Sequence, residues 1–161
     1  MALPYFAEYG WDVTVLCVDP DLIEGIQDPN LLLTVPKNIE IIQSSAISSN
    51  VSRKFRLGNL AFRSIPFLIK ATTKYFEKNR FDLIYFSNTV FLTMVLGRYW
   101  FTKYKVPYIL DFQDPWLSDY YDRTNTKPPG GKLKYAIAHS FAKTLEPFTL
   151  RKAAHITSVS P

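Results

Sequence analysis

Cysteine is almost absent from this chain, which has one, Cys17, and only two histidines, His139 and His155. A single thiol cannot form an intrachain disulfide, which fits a reducing compartment. Three such side chains are also too few for a Cys/His zinc site. Glycine is scarce, with six in 161 residues, leaving little for a phosphate-cradling loop. Neither GxGxxG nor GxxxxGK[ST] occurs, so the dinucleotide and P-loop fingerprints are missing. G-x-S-x-G and H-E-x-x-H are missing as well. Residues 1–11 carry no basic n-region and no long apolar core, so no signal peptide is expected. Apolar stretches are broken by Pro66, Arg98 or Lys103 before they could span a bilayer.

What is present is globular in composition: 47% hydrophobic, 20% charged, and rich in aromatics with ten Tyr, twelve Phe and three Trp. That is too apolar for disorder, and the length predicts one domain with a real core. The net charge of +5 is compatible with anionic lipid, nucleic acid or phosphorylated substrates, and selects none of them.

Short apolar, β-branched runs mark the strands: Asp12–Val18, Ile39–Ile42, Phe81–Phe86, Pro107–Phe112 and Ile156–Val159. Helical spacing is expected over Ala2–Tyr9, stopped by Gly10. It is also expected over Leu57–Arg80, from the caps Ser87, Asn88 and Thr89 to Lys103, and over Lys132–Ala153. Residues Pro20–Lys37 read as loop with one short helical turn, Ser44–Asn50 as a polar connection, and Leu117–Gly131 as a long polar loop. The alternation predicts an α/β fold: Rossmann-like, a mostly parallel sheet with helices on both faces.

On the Leu57–Arg80 segment, Ala61, Ile65, Leu68, Ile69 and Phe76 share one face and Arg63, Lys70, Lys74 and Lys78 the other, with Arg53, Lys54 and Arg56 just upstream. Pro66 kinks this helix or divides it. The basic side is either an ordinary solvated face or a patch that rests on an anionic membrane surface.

The stretch PYILDFQDPW, Pro107–Trp116, is the focus of the chain. Ligands of open α/β sheets sit outside the carboxyl ends of the strands. Two readings stand side by side. Asp114 and Trp116 line the mouth of a cleft, or Asp111 caps a turn while Trp116 packs beneath the next loop. Ser87 and Asn88 end the neighbouring strand, and their backbone N–H groups could hold an anion or a sugar hydroxyl or simply cap a helix. Asp19, after the Val13–Val18 run, is a weaker candidate.

Three stretches carry a resemblance to a known family: MALPYFAEYGWDVTVLCVDP, FDLIYFSNT with the apolar segment after it, and PYILDFQDPW followed by a long helix ending LEPFTLRKAAHITSVSP. In this order the chain resembles the N-terminal domain of family 4 glycosyltransferases, enzymes of two-Rossmann-domain GT-B architecture. Glu146, Leu150–Ala153 and Ser158–Pro161 match the Glu, Leu-Arg-Lys-Ala and Ser-x-Ser of that family's last helix and strand. The resemblance implies the acceptor-binding half of a retaining transferase that moves a sugar from a nucleotide-sugar donor to a polysaccharide or glycolipid precursor. It implies that Asp114, Trp116, Gln113, Ser87, Asn88 and Asp19 contact a sugar or lipid-linked acceptor. No bound cofactor or metal, no nucleic-acid partner, and a cytoplasmic site peripheral to the membrane are expected.

The chain departs from the family in three ways. Many relatives carry Arg where Gln113 stands. The family's first strand and glycine-rich loop, and the C-terminal domain that binds the donor, have no counterpart here. The chain therefore reads as a single domain, 1–161, incomplete at both ends, expected to be inactive alone and poorly stable. The missing strand would lie between Val13–Val18 and Leu83–Phe86, leaving two open edges. The alternatives are a non-catalytic α/β interaction or membrane-docking domain, or half of a GT-B sugar-nucleotide epimerase.

Overall fold

A computed structural model of the chain describes residues 3–24, 28, 30, 33–54 and 59–159. Arg56, the expected helix start at Leu57, and the terminal Ser160 and Pro161 lie outside the described residues, as do the side chains of Arg53 and Lys54. The fold is mixed α/β and Rossmann-like, with all-parallel sheets flanked by helices. The residues gather into two compact units, Met1–Lys78 and Asn79–Pro161.

The first unit opens with α1 (Leu3–Glu8), whose end is set by Gly10 at φ 79°. Gly10 N–H donates to the Ala7 carbonyl and Trp11 N–H to that of Phe6, the paired bonds of a left-handed glycine cap. Strand β1 (Thr14–Val18) then runs parallel to β2 (Glu40–Ser44), with Leu16 opposite Ile42. β2 is the only strand partner of β1 in this unit among the described residues. A short helix α2 (Ser49–Lys54) occupies part of the expected polar connection.

Helix α3 (Leu60–Phe76) packs on both strands. Asn59 caps it, its Oδ1 accepting from Ala61 N–H at 2.8 Å. Pro66 lies inside the helix without dividing it. The most buried line is not the large apolar one expected. It runs through Ala61, Ser64, Leu68 and Thr72, while Ile65, Ile69 and Phe76 are half-buried. The hydroxyls of Ser64 and Thr72 are satisfied within the helix, donating to the carbonyls of Leu60 and Leu68.

The second unit holds a three-stranded parallel sheet in the order β3 (Ile84–Ser87), β4 (Tyr108–Phe112), β5 (His155–Ser158). β4 is central, which accounts for its burial: Tyr108 and Leu110 are fully inaccessible. Side-chain alternation puts Phe86, Tyr108 and Leu110 on one face. Helix α4 (Val95–Tyr104) lies on that face. Phe86 stacks on Trp100 with centroids 5.8 Å apart, and Tyr108 meets Phe101 edge-on at 6.4 Å. The Tyr108 hydroxyl donates to the carbonyl of Thr149 on α6 (Gly131–Leu150), tying that helix to the same strand.

Helix α4 does not begin at the expected Ser87-Asn88-Thr89 caps. A 3-10 turn, Phe91–Met94, intervenes, and α4 has no side-chain cap. Ser87 is instead the last residue of β3, and Asn88 Oδ1 accepts from Thr93 Oγ1 at 3.3 Å. The 117–131 stretch contains a short helix, α5 (Tyr120–Thr124). Tyr135 holds it against α6, its hydroxyl lying 3.2 Å from the Ser118 carbonyl and 3.0 Å from Asp122 Oδ2.

Candidate functional site

The strand register of the second unit aligns three polar side chains across the sheet. Ser87 is opposite Asp111, and Asp111 is opposite Thr157. All three occupy the last turns of the pleat, at the carboxyl end where open parallel sheets bind ligands. Asp111 is the hub. It is 9% exposed, and a carboxylate so buried must be hydrogen-bonded or neutral. Its Oδ1 accepts from Thr157 Oγ1 at 2.7 Å. Its Oδ2 accepts from Gln113 Nε2 at 2.7 Å and from Ser87 Oγ at 3.1 Å. The Tyr85 hydroxyl contributes a further hydrogen bond.

Burial by itself would raise the pKa of Asp111. The hydrogen bonds from Thr157, Ser87, Tyr85 and Gln113 outweigh that and hold it below the usual carboxylate range. Asp111 is therefore ionised at neutral pH and serves as a fixed acceptor. Its neighbours are oriented by it. A hydroxyl has one proton, and those of Ser87 and Thr157 are committed to Asp111. Their remaining lone pairs can only accept, so they suit a ligand rich in O–H or N–H donors. Gln113 spends one amide N–H on Asp111 and keeps its carbonyl oxygen and second N–H.

Asp114 is exposed, one residue beyond Gln113. Trp116 is half-buried and stacks on Phe91 with centroids 6.0 Å apart and planes 16° apart. Phe91 in turn stacks on Phe112, also at 6.0 Å. Trp116 thus ends a three-ring stack anchored on β4, which fixes its plane. Of the residues singled out in the sequence, Ser87 and Gln113 join the Asp111 cluster, Asp114 and Trp116 follow it on the same loop, and Asn88 bonds locally to Thr93.

Asp19 belongs to the first unit, where it has a capping role. Its Oδ1 accepts from Asp21 N–H at 3.0 Å and opens the 3-10 turn Pro20–Leu22. From the sequence, Asp111 reads as a turn cap, and neither Thr157 nor Tyr85 stands out. The available signal was an acid inside the short apolar strand Tyr108–Phe112, where an unpaired charge would be costly.

The expected basic face loses two members, Arg63 and Lys78, the latter standing in the turn past the end of α3 at Phe76. Arg63 was expected beside Lys70, Lys74 and Lys78, but it is buried, with 3% exposure. Its Nε donates to the Ile47 carbonyl and its Nη2 to the Leu22 carbonyl, both at 2.7 Å. Helical spacing does put it on the lysine side, but two loops cover the first turn of the helix and take up its guanidinium. Lys70, Lys74 and Lys78 are exposed and, among the described residues, form no ion pair.

Among the described residues no group of His, Cys, Asp and Glu side chains could hold a metal ion. No helix of the described residues is long and apolar enough to cross a membrane. No family model, no curated protein and no solved structure matches this chain.

Proposed function

We propose that this chain is the acceptor-binding part of a retaining glycosyltransferase. It holds a sugar or lipid-linked acceptor of polysaccharide or glycolipid synthesis at the carboxyl ends of β3, β4 and β5. The observation that carries this reading is the Ser87–Asp111–Thr157 row, with Gln113 beside it. It presents hydroxyl lone pairs with no proton left to give, and a sugar hydroxyl is a donor of the matching kind. Asp114 accepts a hydrogen bond from the acceptor hydroxyl, and Trp116 covers an apolar sugar face. A nucleotide sugar is the donor, and the reaction takes place in the cytoplasm.

Saturation-transfer NMR with a panel of p-nitrophenyl glycosides tests the reading. At least one glycoside is expected to receive saturation, and Asp114→Asn is expected to weaken it about tenfold, the worth of one hydrogen bond to a charged group. Because Asp114 is exposed, its replacement should leave the melting temperature within a few degrees, as surface changes do. No transfer to any glycoside, or a large drop in melting temperature with unchanged binding, would return Asp114 to a structural role.

The exposure of Lys70, Lys74 and Lys78 favours a second contact, with an anionic membrane surface. Each such cation is worth about 1 kcal/mol near the surface. Lys70→Glu combined with Lys74→Glu should therefore weaken co-sedimentation with anionic vesicles at low salt, and equal sedimentation would leave the face merely solvated.

A further inference from the structure

Helix α6 turns its largest exposed apolar side chains onto one line. Leu133 is 77% exposed, Ile137 52% and Phe141 50%. They stand at i, i+4 and i+8, neighbours along one face of a helix. Phe148, seven residues past Phe141, continues the line at 45% exposure. The packed side of the helix is marked by buried Ala142 and Thr149, and the apolar line faces away from it. This reverses the usual arrangement, in which the outward face of a surface helix is polar. Single exposed apolar residues need no explanation, but a contiguous row marks an interaction surface.

The charge around the row is of one sign. Lys132, Lys134 and Lys143 on the helix, and Arg151 and Lys152 just after it, are all exposed and, among the described residues, form no ion pair. By helical rotation, Lys134 borders one side of the row, and Lys143 and Lys132 lie about 80–100° round from its other edge, beyond Ala136 and Ser140. The only acid of the helix, Glu146, is half-buried, its Oε2 shielded from water and without a hydrogen-bond partner. An apolar row between cations, with no exposed acid, is complementary to anionic headgroups over acyl chains. A second copy of the helix would bring like charges together. A nucleic acid would leave Leu133 and Ile137 in water.

We propose that α6 seats this chain on an anionic lipid surface. Leu133, Ile137 and Phe141 enter the headgroup–acyl boundary, and Lys132, Lys134 and Lys143 lie against the anionic headgroups. This contact uses a different helix from Lys70, Lys74 and Lys78, and it does not depend on the glycosyl-transfer reading.

The test uses the full chain with vesicles of phosphatidylglycerol and phosphatidylcholine, against vesicles of phosphatidylcholine alone. Wild type is expected to sediment with the anionic vesicles only. Leu133→Glu with Ile137→Glu should reduce that partition by about tenfold or more, since two apolar contacts with the acyl region are lost. The milder pair Leu133→Gln with Ile137→Gln carries the same test if circular dichroism shows the acidic pair unfolded. Leu133→Trp should show a blue-shifted emission difference from wild type on anionic vesicles. Undiminished binding by the folded double variants, or no emission shift from Leu133→Trp while the protein sediments, overturns the proposal. So does a wild-type dimer that Leu133→Glu with Ile137→Glu dissociates, which would assign the face to a second copy.

Discussion

Asp111→Ala is expected to lower the unfolding free energy by about 2–4 kcal/mol, because a buried charged acceptor is removed and its donors are left behind. Thr157, Gln113 and Ser87 each donate to this carboxylate, and two of the three bonds join different strands. Alanine provides no acceptor, so the hydroxyls must find water or each other. Asp111→Asn should cost less in volume but turns one oxygen into a donor facing other donors. Urea denaturation of both variants beside wild type measures the effect, and a loss under about 0.5 kcal/mol would mean that the row does not hold the sheet together.

The same residue sets a pH dependence with a definite sign. The folded-state pKa of Asp111 is depressed. Its extra stability is therefore fully present above the unfolded carboxyl value, about 3.9, and is lost as pH falls through the folded value. Wild type should lose stability on acidification through this range more steeply than Asp111→Asn, which lacks the titrating group. Parallel pH profiles for the two proteins would remove Asp111 from the acid response.

Gly97→Ala is expected to destabilise the second unit by about 1–3 kcal/mol, the usual cost of forcing a methyl into a packed core. In an exposed helix the same change would stabilise by about 1 kcal/mol through propensity, so the expected sign is opposite. A Cβ at Gly97 would lie 2.6 Å from Tyr108 Cδ2 and 2.9 Å from Phe86 Cε2. Neither ring can easily retreat. Tyr108 is fully buried and held by its hydroxyl bond to the Thr149 carbonyl, and Phe86 is stacked on Trp100. Gly97 is what lets α4 approach the sheet closely. Gly97→Leu should be worse still. Thermal melts decide the matter, and a raised melting temperature for Gly97→Ala would mean that α4 has room to move off β4.

How much of this was legible from residues alone depended on the range of the signal. The five strands were readable because a short apolar, β-branched run is a local signal of a strand, although only β4 is mostly buried. Val15, Leu16 and Val18 or Tyr108, Ile109 and Leu110 need no distant partner to be recognised. The end of α1 at Gly10 was readable for the same reason, since a left-handed cap is a property of one residue. The α/β class followed from the alternation of those local signals. Of the candidate residues, Ser87, Gln113, Asp114 and Trp116 were reached through the rule that parallel sheets bind ligands at their carboxyl ends, and Ser87 and Gln113 prove to bond to Asp111.

The tertiary structure alone decided the rest. Asp111 became the hub rather than a turn cap because register brings Thr157 beside it from 46 residues away. Arg63 left the lysine face because the Leu22 carbonyl, 41 residues away, takes its guanidinium. Helical periodicity placed both Arg63 and Lys70 on one side, but only the fold shows which turn is covered by loops. Spacing puts Leu133, Ile137 and Phe141 on one face of α6. That face is exposed because the helix packs through Ala142 and Thr149 on the opposite side. Spacing along a chain tells which residues share a face. Which face is buried depends on what the rest of the chain lays against it.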